Sequence, residues 1–306
     1  MTTSSVAPPA PAQTPGDPLD GMVPRKKKVS GGELTWRGIR MALLIFFAAV
    51  ILMPIYVVIV TSFKAPADFS VTGAWNLPER LSFNGWAAAW EALAPALVRS
   101  VILAVSSAVF ASILGSMNGF VFAKWKFPGA DVIFTMFLSG MVSPYQAVMI
   151  PLQKLMIGMN QSLPFLSGVP TLIIAHVIYG IPICTLIFRN YYATAVPTDI
   201  IEAARVDGAG MWGIFTKIVL PVSAPAFVVT MIWQFTSAWN DFLFALFLTD
   251  RNTGPVTYAL QELASAQNPD YSRMMAGVLV ASLPTLLVYI FLGRYFVSGL
   301  MSGSVK

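Results

Sequence analysis

Charged residues are scarce in this chain. They make up 11% of its 306 residues, while hydrophobic residues make up 56%. A soluble domain usually carries about 25% charged residues, so this chain has too little charge to cover a surface that faces water. The composition excludes an ordinary soluble protein and indicates a surface that is mostly in contact with lipid.

Cysteine and histidine are almost absent. The single cysteine, Cys184, excludes an intrachain disulfide. The single histidine, His176, has no second histidine or nearby thiol with which to bind a metal. An enzyme embedded in a membrane would need grouped Asp, Glu, His or Cys side chains at membrane depth. We therefore expect neither catalytic residues nor a metal site.

A phosphate-binding loop is missing as well. The Walker pattern requires a Gly-Lys dipeptide followed by Ser or Thr. The sequence contains no Gly-Lys dipeptide, and no lysine is followed by Ser or Thr. Any ATP that drives this protein must therefore be bound by another polypeptide.

Long uncharged apolar runs are what the sequence has in abundance. A transmembrane helix needs about 20 apolar residues, and the runs are long enough for six such helices. Backbone polar groups cannot stay unpaired in lipid, and the continuous apolarity of the runs excludes the alternating pattern of barrel strands. We predict an all-α, polytopic membrane protein. Its six spans are expected at about residues 41–63, 99–123, 132–153, 169–188, 222–248 and 274–294.

The distribution of Lys and Arg predicts the orientation. Six basic residues precede the first span, and with six spans one side of the membrane holds thirteen basic residues against six on the other. The basic side is expected to be cytoplasmic. It then includes a disordered N-terminal tail (1–32), the loop 189–221 and the C-terminal tail 295–306. The net charge of +5 follows from this bias and needs no nucleic acid to explain it.

The loop 189–221 contains a spaced pattern: Glu202-Ala203-Ala204, three residues, Gly208, nine residues, then Ile218-Val219-Leu220-Pro221. Thr198 can cap a helix that starts there, with acidic residues at its positive end. Gly208 and Gly210 permit the left-handed turn that ends a helix. The pattern predicts a short, stiff helix outside the bilayer.

This pattern resembles the EAA signature of the membrane subunits of ATP-driven importers, at every defining position. The resemblance implies a type I ABC importer transmembrane-domain fold in a bacterial or archaeal cytoplasmic (inner) membrane. It also implies two ATP-binding subunits, which carry ATP and Mg, a second similar permease subunit and an extracytoplasmic binding protein. No cofactor is expected on this chain. The residues expected to contact the ATPase subunit are Glu202, Ala203, Ala204, Asp207, Gly208, Ile218, Leu220 and Pro221.

A narrower resemblance covers residues 36–306 and is to the carbohydrate importers of the maltose and glucose type. It is carried by the stretches 188–192, 239–241 and 294–306. Tyr145-Gln146 and the Trp-Gln-Phe-Thr run at 233–236 look most like permeases for glucose, mannose or α-glucosides. The resemblance implies that the extracytoplasmic partner is a sugar-binding protein.

Candidate sugar-facing residues follow from their depth in the membrane. Trp233 lies in mid-span beside Gln234, and an amide at that depth is costly unless it faces a partner or a wet cavity. A flat aromatic ring and an amide suit the apolar face and hydroxyl edge of a sugar. Packing of Trp233 and an interhelical hydrogen bond from Gln234 remain an alternative. The full set of candidates is Tyr145, Gln146, His176, Tyr179, Trp233, Gln234, Asn240 and Asp241.

A secondary transporter driven by protons or sodium is the alternative function. Such transporters usually need ionisable residues within the membrane as relays or ion sites. The uncharged runs lie at 41–63, 100–123, 132–153, 155–188, 218–240 and 274–293. They contain no Asp, Glu, Lys or Arg, which argues against this class.

Overall fold

Helices form all the regular structure of the described residues. The computed structural model describes residues 31–125, 127–142, 144–267 and 269–301. The helices are α1 (Gly31–Ser62), α2 (Asn84–Lys124), α3 (Ala130–Val142), α4 (Met149–Ser162), α5 (Val169–Ala195), α6 (Thr198–Val206), α7 (Met211–Ile214), α8 (Leu220–Val222), α9 (Ala224–Asn240), α10 (Leu243–Leu248), α11 (Val256–Ala264) and α12 (Tyr271–Met301). Short 3₁₀ turns lie at Pro66–Asp68, Tyr145–Val148 and Pro164–Leu166, and a π-helical turn lies at Phe215–Val219. The predicted all-α class is confirmed for this part of the chain.

Four helices of the described chain are each long and apolar enough to cross a membrane: Trp36–Ser62 within α1, α2, α5 and Tyr271–Gly293 within α12. Two further spans are bent pairs of helices. Ala130–Val142 pairs with Tyr145–Ser162 at 86°, and Met211–Val222 pairs with Ala224–Asn240 at 79°. If each bent pair crosses once, the total is six.

The helices differ from the predicted spans in three places. Helix α2 has 41 residues and starts fifteen positions before residue 99, because the alanine-rich stretch before the apolar run is itself a good helix former. At 1.5 Å per residue it measures about 60 Å, twice the hydrocarbon core of about 30 Å. The predicted spans 132–153 and 222–248 are both interrupted. The second breaks at Asp241 and Phe242, where the Asp241 carboxylate accepts a hydrogen bond from the backbone N–H of Phe244 (2.9 Å).

The predicted tails fall partly outside the described residues. Residues 1–30 and 302–306 are not described. Gly31 and Gly32 belong to α1, and α12 continues through Met301 without a break at residue 295.

The chain divides into two units between Pro54 and Ile55. In the first unit, the side chains from Trp36 to Pro54 are exposed, and most of them are large and apolar. Such an apolar surface is expected to contact lipid or another membrane helix, not water.

The second unit is centred on α2 and α5. Gly115 and Gly119 of α2 face Cys184 and Phe188 of α5, and a Cβ at Gly119 would lie 2.6 Å from the Cβ of Phe188. Small residues at this interface let the two backbones approach closely, as is common between membrane helices. The two helices therefore form a tightly packed pair on which the other elements rest.

Buried apolar side chains of this unit form two clusters. The first core lies towards the start of α2 and includes Leu93, Leu103, Leu172, Trp239 and Phe244. The second core lies towards the end of α2 and includes Phe120, Phe188, Tyr192, Ile201, Ile214, Phe215 and Val219. Residues of the predicted cytoplasmic loop 189–221 thus belong to the second core.

Candidate functional site

A cavity of about 400 Å³ lies between α3, the Tyr145–Val148 turn, α5, α9 and the start of α10. It is lined by Gly140, Met141, Tyr145, His176, Tyr179, Gly180, Ile183, Trp233, Gln234, Ser237, Asn240, Asp241 and Phe244. Its size is in the usual range for small-molecule sites, about 300–1,000 Å³.

Aromatic rings form one wall of the cavity. The rings of Tyr145 and Phe244 are stacked with centroids 5.2 Å apart, and Tyr179 lies 5.3 Å from Phe244. Trp233 is 48% exposed and also lines the cavity. These rings provide flat apolar surface for a ligand.

Polar groups lie beside these rings, and the imidazole of His176 is 5.1 Å from the ring of Phe244. His176 Nε2 lies 3.7 Å from Asp241 Oδ2 and makes no hydrogen bond with a described residue. Gln234 donates from Nε2 to the backbone carbonyl of His176 (2.8 Å). Gly180 makes room for this contact, because a Cβ there would collide with the Gln234 side chain. The interhelical hydrogen bond expected for Gln234 is present, and the same residue also lines the cavity.

The structure brings seven of the eight candidate pathway residues to this one cavity. Gln146 is the exception: it is exposed and does not line the cavity. It follows Tyr145 in a 3₁₀ turn, where successive side chains are about 120° apart, so the two neighbours point in different directions.

Sequence reasoning missed Ser237 and Phe244. Ser237 follows Trp233 by four residues on α9 and precedes Asp241 by four. The helical period therefore could have identified Ser237 as part of the same face. Phe244 could not be found in this way, because the helix breaks before it.

The cavity suits a neutral ligand rich in hydroxyl groups. No Lys or Arg occurs among the described residues that line it, so an anionic group would find no countercharge there. Amide, hydroxyl, imidazole and carboxylate groups offer hydrogen bonds beside the aromatic wall.

Helix α6 (Thr198–Val206), which holds several of the residues predicted to contact the ATPase and is called the coupling helix below, ends in a Schellman turn. Ala209 N donates to Ala204 O (2.9 Å) and Gly208 N donates to Arg205 O (3.0 Å), with Gly208 at φ +81°. The left-handed conformation predicted for Gly208 is confirmed. The same prediction for Gly210 is wrong, since Gly210 has φ −73° and precedes α7 in an extended conformation.

The predicted cap at Thr198 is also wrong. Thr198 is the first helical residue, Pro197 occupies the capping position, and no side chain caps the helix. Asp199 nevertheless lies in the first turn, where a negative charge is favourable.

The coupling helix has one anchored face and one free face. Ile201 is 1% exposed within the second core, and Arg205 holds the helix to the end of α2. Arg205 Nη2 donates to Lys124 O (3.3 Å), and its guanidinium lies 4.2 Å from the ring centroid of Trp125. On the free face, Val206 is 88% exposed.

The residues predicted to contact the ATPase subunit divide between these faces. Glu202, Ala203, Asp207, Gly208, Leu220 and Pro221 are exposed. Ala204 and Ile218 instead pack against the second core. Those two are partly buried and leave less of their surface free for a partner.

Comparisons with known proteins agree with this architecture. Residues 115–301 match the family model described as binding-protein-dependent transport system inner membrane component. A probable ABC transporter permease of Pyrococcus horikoshii is 44% identical in an alignment that covers 55% of this chain and 59% of that relative. The xylose/arabinose import permease of Haloferax volcanii is 32% identical over 85% of this chain and 90% of its own.

A solved structure shares the fold. A chain of a bacterial ABC transporter that imports the acidic polysaccharide alginate superimposes with a TM-score of 0.72 at 20% identity, covering 87% of this chain and 98% of that one. Permease subunits of this kind are not catalytic, and ATP hydrolysis is the task of a partner ATPase. With a family match over more than half of its length, this chain belongs to the inner membrane components of binding-protein-dependent transport systems.

Proposed function

We propose that this chain is a permease subunit of an ATP-driven sugar importer and forms half of its translocation pathway. The observation that carries the proposal is the convergence of an aromatic wall and several hydrogen-bonding groups on one cavity within the membrane-spanning helices. Sugars present flat apolar faces and a rim of hydroxyl groups, which match these two kinds of surface. The free face of the coupling helix is the proposed contact with the ATPase.

We propose glucose, mannose or an α-glucoside as the cargo. The resemblance at Tyr145 and at residues 233–236 supports this choice, as does the absence of Lys and Arg from the described lining of the cavity. The Haloferax relative is named for xylose and arabinose, which are also neutral sugars. Pentoses are therefore the competing cargo that an experiment has to separate from hexoses.

The proposed assembly contains a second, similar permease, two ATP-binding subunits that hold ATP and Mg, and an extracytoplasmic sugar-binding protein. Both termini of this chain would lie in the cytoplasm, as the excess of Lys and Arg on that side supports. In this orientation the coupling helix faces the compartment that contains ATP.

Uptake by the complete complex in proteoliposomes tests the proposal. Labelled glucose, mannose, maltose and xylose would be offered with the binding protein outside and ATP inside. We expect uptake of a hexose or α-glucoside that requires ATP and survives collapse of proton and sodium gradients. Uptake that follows an ion gradient and ignores ATP would contradict the proposal and favour a secondary transporter. A preference for xylose would contradict only the choice of cargo.

A further inference from the structure

Three buried hydroxyl groups meet where the chain returns from the coupling helix to the membrane. Tyr192, near the end of α5, has its hydroxyl oxygen 2.8 Å from Ser116 Oγ on α2 and 2.9 Å from Ser223 Oγ. Ser223 stands between α8 and α9. All three residues are fully buried. We refer to Ser116, Tyr192 and Ser223 as the hydroxyl joint.

The direction of the hydrogen bonds in this joint follows from counting protons. Ser223 Oγ donates its only proton to the carbonyl of Val219 (2.6 Å). Tyr192 must therefore donate to Ser223, and Ser116 must donate to Tyr192. The result is one directed chain from α2 through α5 to the last carbonyl of the π-helical turn, and successive bonds in such a chain strengthen one another.

This chain of hydrogen bonds ends at the carbonyl of Val219, which lacks its regular helical hydrogen bond. In a regular helix, Val219 O would accept from the backbone N–H of Ser223. That N–H donates to Leu220 O instead (3.1 Å). The Ser223 hydroxyl donates to Val219 O in place of that N–H. The joint therefore supplies the missing hydrogen bond at the 79° bend between Met211–Val222 and Ala224–Asn240.

A second tyrosine also donates a hydrogen bond to this bend. Tyr191 donates from its hydroxyl to the carbonyl of Val222 (2.7 Å). Consecutive residues at the end of α5 thus bond to the bend, Tyr191 directly to the last carbonyl of α8 and Tyr192 through Ser223 to the carbonyl that precedes α8. The bend cannot shift relative to α5 without breaking one of these bonds.

The coupling helix rests on the same core as the joint. Ile201 of α6 and Tyr192 both belong to the second core, and Phe188, one turn before Tyr192, packs against Gly119 of α2. A densely packed core transmits displacement because it has little free volume to absorb it. A movement of α6 therefore reaches the joint, which ties it to both α2 and α5.

We propose that Tyr192, with Ser116 and Ser223, is a positioning element that passes displacement of the coupling helix to α2 and α5. This inference rests on the proposed coupling of α6 to an ATPase. The joint touches neither the cavity nor the free face of α6, so its loss should change how much transport each hydrolysed ATP produces.

The test is the ratio of sugar imported to ATP hydrolysed in the reconstituted complex. Tyr192→Phe removes the central hydroxyl but keeps the ring. We expect it to lower this ratio about 2- to 30-fold, the range reported for residues in coupling networks. Ser223→Ala should act similarly, and a double Tyr192→Phe/Ser223→Ala variant should add little, since both changes break one chain. Ser116→Ala, which leaves the bonds from Tyr192 to Val219 intact, should have a smaller effect.

Ser107→Ala is the matched control. Ser107 lies on the same helix as Ser116 and is equally buried, but its hydroxyl has no partner among the described residues. This variant should keep the wild-type ratio. Ser223→Thr, which retains a hydroxyl, should restore most of the coupling lost in Ser223→Ala.

Two results would overturn the inference. One is an unchanged ratio in Tyr192→Phe and Ser223→Ala, whether or not the melting temperature of the complex falls. The other is an equal loss in Ser107→Ala. If the wild-type complex itself shows no ATP-dependent uptake, the proposed function fails, and that outcome is distinct because it is seen before any variant is made.

Discussion

The cavity and the coupling region differ in how completely their polar groups are hydrogen-bonded. At the cavity, His176 Nε2 has no hydrogen-bond partner among the described residues, and Trp233 is half exposed. In the second core, every hydroxyl of the joint is buried and bonded. Spare polar groups can accept a ligand that comes and goes, whereas saturated ones hold elements in a fixed relation. The proposed binding site and the proposed transmission element therefore lie in different parts of the second unit.

The largest effect, on sugar-stimulated ATPase activity, is expected from a substitution in the Schellman turn that ends the coupling helix. Gly208→Pro cannot adopt φ +81° and loses the N–H that bonds Arg205 O. The complex should still assemble, but sugar-stimulated ATPase activity should fall about 5- to 150-fold, the usual range of a coupling between sites. The measurement is ATPase activity of the reconstituted complex with and without loaded binding protein.

Gly210→Ala is the control for that change. Gly210 has φ −73°, and nothing lies within 4 Å of an added Cβ. This variant should behave as wild type. Normal sugar-stimulated ATPase activity in Gly208→Pro would show that the Schellman turn is not needed for coupling.

A smaller loss is expected at the cavity. Trp233→Ala removes an exposed aromatic face, and transport at limiting sugar should fall about tenfold, equivalent to about 1.4 kcal/mol of lost interaction. Coupling per ATP should stay normal, because the second core is untouched. Trp90→Ala provides the control, since Trp90 is 59% exposed but does not line the cavity. Equal losses in both variants would remove the support for a sugar-binding role of Trp233.

The division between these two regions explains what the sequence could predict. Trp233 and Asn240 lie seven residues apart on α9, so their shared face follows from the helical period. The left-handed turn at Gly208 follows from the same local rules. Predictions within one element were only partly successful, because Thr198 starts α6 without capping it.

Other predictions failed, or could not be made, where a helix break or the packing between helices decides the outcome. Gln146 was assigned to the cavity with Tyr145, but the 3₁₀ turn separates their directions. Gly208 and Gly210 were both expected to permit the left-handed turn, but only Gly208 adopts it. The hydroxyl joint could not be found at all, because Ser116 and Tyr192 are 76 residues apart in sequence and their contact depends on how α2 packs against α5.

A stability effect without loss of coupling is expected from crowding the cavity wall. Gly180→Ala places a methyl group against the Gln234 side chain and should displace it from His176 O. Overpacking of this kind typically costs about 1–3 kcal/mol, so the melting temperature of the purified complex should fall. Gly140→Ala, on the same cavity with nothing within 4 Å of the added Cβ, should leave it unchanged or slightly raised. A fall in both variants would mean that the cavity itself, and not the Gln234 contact, is sensitive to substitution.

The smallest effect is expected where the coupling helix meets the end of α2 at the surface. Arg205 stacks over Trp125 and donates to Lys124 O, but it is exposed, and a cation–π contact at an exposed site contributes about 0.5–1 kcal/mol. The pair can be measured by a double-mutant cycle of Arg205→Ala and Trp125→Ala on the melting temperature of the complex. We expect a small but non-additive effect, because each single change already removes the shared contact. Strict additivity would show that Ile201 and the second core alone hold the coupling helix, and the transmission path would then run through the buried joint without this surface contact.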